Sequence, residues 1–161
     1  MKTLKIDEKE ALKLYKTASN EFKQILEDTF GKNYFNQKIT DKIQDLDDIL
    51  EYLALDEDEL YIFPKNTKDK FERYINACAI IPKIVEVYNE GEELDWNNTN
   101  QYKYLPYYEF SRSGGWSFCI YIYWSYVTYA PAGLHYKSLE LLNDACKKFN
   151  DIYIDYFSFK G

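Results

Sequence analysis

Residues 116–127 read Trp-Ser-Phe-Cys-Ile-Tyr-Ile-Tyr-Trp-Ser-Tyr-Val, and no other stretch restricts the fold as tightly. Alternate positions separate into two sets: Trp116, Phe118, Ile120, Ile122, Trp124 and Tyr126 against Ser117, Cys119, Tyr121, Tyr123, Ser125 and Val127. A two-residue period is the period of a β-strand, whose successive side chains point to opposite faces. The surroundings agree, since 13 of the 35 residues from 102 to 136 are aromatic. Tyr102 to Phe110 reads as a preceding strand in which Pro106 suits an edge or a bulge. Ser111 to Gly115 and Ala130 to Gly133 are turns, and Leu134 to Lys137 is a short third strand. Ser138 caps a final helix with Leu142, Ala145, Cys146, Phe149, Ile152, Tyr153 and Tyr156 on one stripe. The pattern predicts an antiparallel meander closed by that helix, which packs on the Trp116–Trp124 face. Tyr121 and Tyr123 then lie on the opposite face, open unless the N-terminal helices cover it.

Upstream the period changes to that of helices. Asp7 caps one helix bearing Ala11, Leu12, Leu14 and Tyr15. Ser19 caps a second, with Phe22, Ile25, Leu26 and Phe30, and Gly31 stops it. Residues 32–40 read as a connector. Asp45 caps a short helix with Leu46, Ile49, Leu50 and Leu53. Residues 65–91 form the longest helix, with Thr67 as cap, Gly91 as stop and Pro82 as a kink or break. The fold class is therefore α+β, with a helical, acidic region over 1–64. The long helix, the three-stranded sheet and the C-terminal helix over 65–161 follow, joined with it in one compact unit.

At 161 residues, 46% of them apolar, the chain can bury a core without disulfides or metals. Its net charge of −7 disfavours a basic nucleic-acid binder. No apolar run approaches the length of a membrane span and no signal-peptide core is visible, so a cytoplasmic location is expected. The three cysteines lack CxxC spacing and read as small buried thiols. His135 is the sole histidine and lacks the partners of a zinc site, and it reads as a packed or surface residue in place of a catalytic base. No cofactor, metal or catalytic residue is expected.

Two features point to binding. From 41 to 59 there are nine acidic residues and one lysine. Asp45, Asp47, Asp48, Glu51, Asp56, Glu57, Asp58 and Glu59 form an acidic patch suited to a basic surface. The run 56–59 lacks the spacing and glycine of a calcium loop. The second feature is an aromatic platform of Tyr121 and Tyr123 with Tyr107, Lys103 and His135 beside them. The Arg112 turn offers a guanidinium and backbone N–H groups to an anion.

Asn89-Glu90-Gly91, Asp95-Trp96-Asn97-Asn98, Asn100-Gln101-Tyr102-Lys103-Tyr104, Pro106-Tyr107-Tyr108 and Lys137-Ser138 with Glu140-Leu141 and Ala145 recur in a recognisable order. Over residues 75–155 the chain resembles a family of small, uncharacterised proteins encoded by tailed phages and prophage-like elements of gut bacteria of the Bacteroides type. It departs from that pattern at Glu92-Glu93-Leu94 and at Leu139 to Leu142. The resemblance implies a phage accessory protein and supplies no catalytic residues. Together these features lead to a non-enzymatic inhibitor of a host defence system that occupies a basic nuclease or nucleic-acid-binding surface. One alternative is a protein that sequesters a nucleotide or signal molecule, with its base on the tyrosines and its phosphates on the Arg112 turn. Another is a single-strand nucleic-acid binder using a basic stripe of Lys103, Arg112 and Lys137.

Overall fold

The computed structural model describes residue 6 and residues 8–125 and 130–159. The chain divides into two compact units, the first ending at Lys42 and the second beginning at Ile43. The acidic segment 45–59 thus belongs to the same unit as the sheet.

The first unit contains α1 (Glu8–Thr17), α2 (Asn20–Phe30), α3 (Lys32–Asn36) and α4 (Ile39–Lys42). Ser19 caps α2 by accepting from the Phe22 N–H at 3.4 Å. Gly31 ends it at φ +89°, in a region that favours glycine, and donates its N–H to Glu27. The expected cap Asp7 lies outside the described residues. Residues 32–40 are not an irregular connector but carry α3 and part of α4. Phe35 on α3 stacks on Tyr15 with ring centres 4.2 Å apart, so the short helix has an aromatic partner to hold it.

The second unit begins with α5 (Leu46–Leu53), α6 (Glu57–Leu60) and α7 (Lys70–Tyr88). Asp45 caps α5 by accepting from Asp47 N–H and Asp48 N–H, and Asp48 accepts from the Asp45 N–H in return. The cap of α7 is Asp69, two residues beyond the expected Thr67. Thr67 instead accepts from the Asp69 N–H and donates its hydroxyl to Glu72, fixing the approach to the helix. The helix runs on through Pro82 without a break. Its buried face includes Ala77, Ile80, Ile81, Ile84, Val87 and Tyr88.

Next come β1 (Lys103–Ser111) and β2 (Gly115–Trp124), then a 3-10 turn over Ala132–Leu134, α8 (Leu139–Lys148) and α9 (Asn150–Ser158). Ser138 caps α8, as its position before the apolar stripe predicts. The expected single C-terminal helix is two, separated at Phe149, which leaves helical geometry at φ −110° and ψ 25° while its side chain is buried. The first two strands pair as an antiparallel hairpin. The third strand contributes one residue: Tyr136 exchanges two backbone hydrogen bonds with Tyr104, at 3.0 and 2.8 Å.

The hairpin register slips between Tyr107 and Tyr108. Tyr107 is paired with Ile120 but Tyr108 with Phe118, leaving Cys119 as an extra residue. A one-residue bulge exchanges the two sides of a strand. Phe118 and Trp116 therefore share a face with Tyr121 and Tyr123 instead of opposing them. This overturns the expected segregation: the tyrosines lie on the face that carries the helices. At one end of that face Tyr108 stacks on Tyr153 and Phe157 of α9. At the other end Tyr123 remains half exposed.

Candidate binding surface

The loop from 89 to 102 is organised around a buried cation. Lys103 has no solvent exposure, and its Nζ donates to the carbonyls of Asn98, Gln101 and Ser125 at 3.0, 2.8 and 2.9 Å. Trp96 lies against it, with Nζ 5.4 Å from the ring centre. Desolvating an ammonium is costly, and three carbonyls plus a ring face compensate it. Trp96 in turn meets His135 edge-on at 5.1 Å. His135 is also fully buried, and its Nδ1 lies 3.2 Å from the carbonyls of Pro131 and Ala132, which places a proton on that nitrogen. Burial holds its pKa below the ordinary histidine value. Lys103 and His135, expected beside the tyrosine platform, are the internal struts of two loops. The physical reason is hydrogen-bond supply: the loop carbonyls need donors, and these two side chains supply them.

Asn89 completes the frame. Its side-chain amide donates to the His135 carbonyl at 2.8 Å and accepts from the Lys137 N–H at 2.9 Å. Lys137 Nζ reaches Glu90 and Glu92 at 3.2 and 3.1 Å. The basic stripe of Lys103, Arg112 and Lys137 is consequently not assembled. Lys103 is enclosed, Lys137 is neutralised, and Arg112 lies at the exposed hairpin turn. Near this frame lies a groove of about 480 Å³ bordered by Pro82, Val85, Glu86, Glu92, Glu93, Leu94, Trp96 and His135.

Tyr121 and Tyr123 lie in a ring cluster whose other members differ from those expected. Tyr102, Tyr104, Tyr121 and Tyr123 touch in sequence. Tyr102 meets Tyr123 at 4.8 Å, and Tyr104 meets Tyr121 at 5.7 Å and Tyr123 at 6.2 Å. Tyr102 and Tyr123 are each 51% exposed. Tyr107 is exposed too, but by register it belongs to the other face. Tyr102 and Tyr104 were missed because their rings meet Tyr121 and Tyr123 only through the hairpin register, which sets Tyr104 opposite Tyr123. Arg112 lies at the far end of the hairpin. Tyr121 is level with Pro106, six residues from Arg112 along the strand, or roughly 20 Å at the rise of a β-strand. A single nucleotide cannot rest its base on one and its phosphates on the other. One N–H of the turn is already taken, because Ser111 Oγ accepts from the Gly114 N–H at 2.9 Å.

The acidic segment divides by role. Asp45 and Asp48 cap α5, and Glu59 accepts from the N–H of Asp56, the residue that opens α6, at 2.8 Å. Glu57 pairs with Lys65 at 2.6 Å. Asp47, Glu51 and Asp58 are exposed on the two helices. The cluster is therefore partly local architecture and partly a negative surface held by short capped helices.

No protein-family model, curated protein or solved structure matches this chain. Among the described residues, no group of three or more His, Cys, Asp or Glu side chains is placed to hold a metal ion. None of the described helices is long and apolar enough to cross a membrane.

The polar core beneath the sheet is saturated. Tyr136 and Tyr153 share a hydroxyl–hydroxyl hydrogen bond, Tyr88 donates to Asp144 at 2.7 Å, and Tyr108 donates to Asn150 at 3.2 Å. Burial raises all four phenol pKa values, and it pushes the Cys146 thiol up to about 12. Each hydroxyl that leaves water in this cluster has a partner, as burial of a polar group requires.

Proposed function

We propose that the protein is a phage-encoded, non-enzymatic binding protein of the bacterial cytoplasm. It inhibits a host defence system by occupying a basic nuclease or nucleic-acid-binding surface. The observation that carries this reading is the exposed set Asp47, Glu51 and Asp58, presented on helices whose N-termini are fixed by their own acidic residues. Negative charges held on rigid elements steer a basic partner and set its orientation without reordering on contact. Tyr102 and Tyr123 add half-exposed aromatic area, which suits desolvated anchor points.

The test is protection of an infecting phage. Expressed in a host that carries a nuclease-based defence, the protein raises plaque formation by a susceptible phage. The charge-reversed variant D47K/E51K/D58K, made to the same level, does not. Binding to the purified nuclease weakens as salt is added. Unchanged plaque counts with the natural sequence, or equal protection by the reversed variant, overturn the proposal.

A further inference from the structure

The hydrogen-bonding pattern of the sheet determines which backbone groups face outward. In an antiparallel ladder a residue directs both its N–H and its C=O to the same neighbour, and successive residues alternate sides. Tyr104 exchanges both of its hydrogen bonds with Tyr136, on the side away from β2. Tyr104 and Tyr123 are therefore a non-hydrogen-bonded pair of the hairpin, and so are Pro106 and Tyr121. Pro106 fits this position, since its missing N–H removes nothing from the ladder with β2. The same alternation turns the N–H and C=O groups of Tyr121 and Tyr123 to the outer edge of β2. Among the described residues no strand pairs on that edge, and no backbone group there meets the outward groups of these two tyrosines.

The segment that carries this edge has no charged side chain of its own. From Ser113 to Tyr136 there is no Asp, Glu, Lys or Arg, in a chain that is 29% charged and carries −7 overall. Long edges usually carry lysine, proline or inward charges that block pairing. Within the described strand a bulge interrupts the edge at Cys119 and leaves Ile120–Trp124 regular.

We infer that two copies of the chain pair through the outer edges of β2, antiparallel and two-fold about Ile122. This assignment goes beyond the functional reading above and is independent of it. In this register Tyr121 of each copy faces Tyr123 of the second, and each such pair exchanges two backbone hydrogen bonds. Ile122 meets Ile122 of the second copy at the axis. The occupant is a second copy because the register is self-complementary and the segment is neutral. Two molecules that repel elsewhere meet here without opposing carboxylates. The hairpin becomes the inner part of a wider sheet, and the Tyr121 and Tyr123 rings of both copies form one aromatic surface.

The experiment is sedimentation equilibrium on the full chain, together with residue-resolved amide exchange. The expected mass approaches twice the 19.3 kDa of one chain as concentration rises. The Tyr121 and Tyr123 amides, which make no bond to β1, exchange more slowly in step with dimer formation. Ile122→Lys places like charges at the axis and weakens the dimer roughly tenfold or more. Tyr107→Lys, an exposed change on the inner strand, leaves it intact. A single-chain mass through the high micromolar range overturns the proposal, and so does fast exchange of both amides in a dimer. A monomer whose β2 amides slow only when a different protein is added also overturns it and reassigns the edge to that protein.

Discussion

Lys103 Nζ lies 5.4 Å from the centre of the Trp96 ring, enclosed by three backbone carbonyls. The pair ties the 89–102 loop to the start of β1. Lys103→Met keeps the apolar stem but strips three carbonyls of their donor. It is expected to lower unfolding free energy by about 2–4 kcal/mol. Urea denaturation followed by tryptophan fluorescence measures the loss, and a change below about 0.5 kcal/mol contradicts the structural role given to this lysine.

His135 sets a pH dependence with a definite sign. Burial depresses its folded pKa, so the unfolded chain takes up a proton first as pH falls. Its neutral form is fully compatible with the fold above the unfolded value of about 6.5. Stability then declines below that pH until the folded form also protonates. Since the chain has one histidine, His135→Gln removes this slope below about pH 6.5. Chemical denaturation at several pH values compares the two proteins.

The Tyr136 and Tyr153 hydroxyls satisfy each other inside the core. Tyr136→Phe orphans the remaining hydroxyl and is expected to cost about 1–3 kcal/mol. Adding Tyr153→Phe removes the orphan, so the double variant is less destabilised than the sum of the two single changes. Strict additivity in a double-mutant cycle contradicts the pairing.

Asp45 and Asp58 lie in the same acidic run but do different work. Asp45→Ala removes the cap of α5 and is expected to cost about 1 kcal/mol. Asp58→Ala is exposed on α6 and stays within about 0.5 kcal/mol of the natural protein. Thermal melts of the two variants separate cap from surface.

The thiols should react in a fixed order. Cys119 is exposed at the bulge, whereas Cys146 is buried with its pKa raised to about 12. The Glu109 carboxylate beside Cys119 accepts from its thiol and repels the thiolate, raising its pKa. Glu109→Gln is therefore expected to speed modification of Cys119 near neutral pH while Cys146 stays slow. Timed alkylation with peptide mass analysis reads both sites.

Helix ends were largely legible in the sequence because their signals are local. Ser19, Asp45 and Ser138 each cap where a small oxygen-bearing side chain precedes an apolar stripe. The hairpin turn at 111–115 was equally readable from its serines and glycines. The sidedness of β2 was not. An alternating string gives no sign of an extra residue when both alternating sets contain large rings, so the Cys119 bulge and the regrouping of Tyr121 with Phe118 had to come from the partner strand. Nor does a lone lysine in an aromatic strand reveal its own burial. Lys103 is enclosed by carbonyls from Asn98, Gln101 and Ser125, and the last lies across the hairpin.

Asn89 has a consequence for how far the molecule could assemble. By bonding the His135 carbonyl and the Lys137 amide together, its side chain imitates the backbone of a further strand beside Tyr136. That margin is occupied from within, while among the described residues no strand pairs along the margin at Tyr121 and Tyr123. A sheet with one sealed border and one unsealed border adds a single neighbour and then terminates. Filament growth from this face would first require Asn89 to let go.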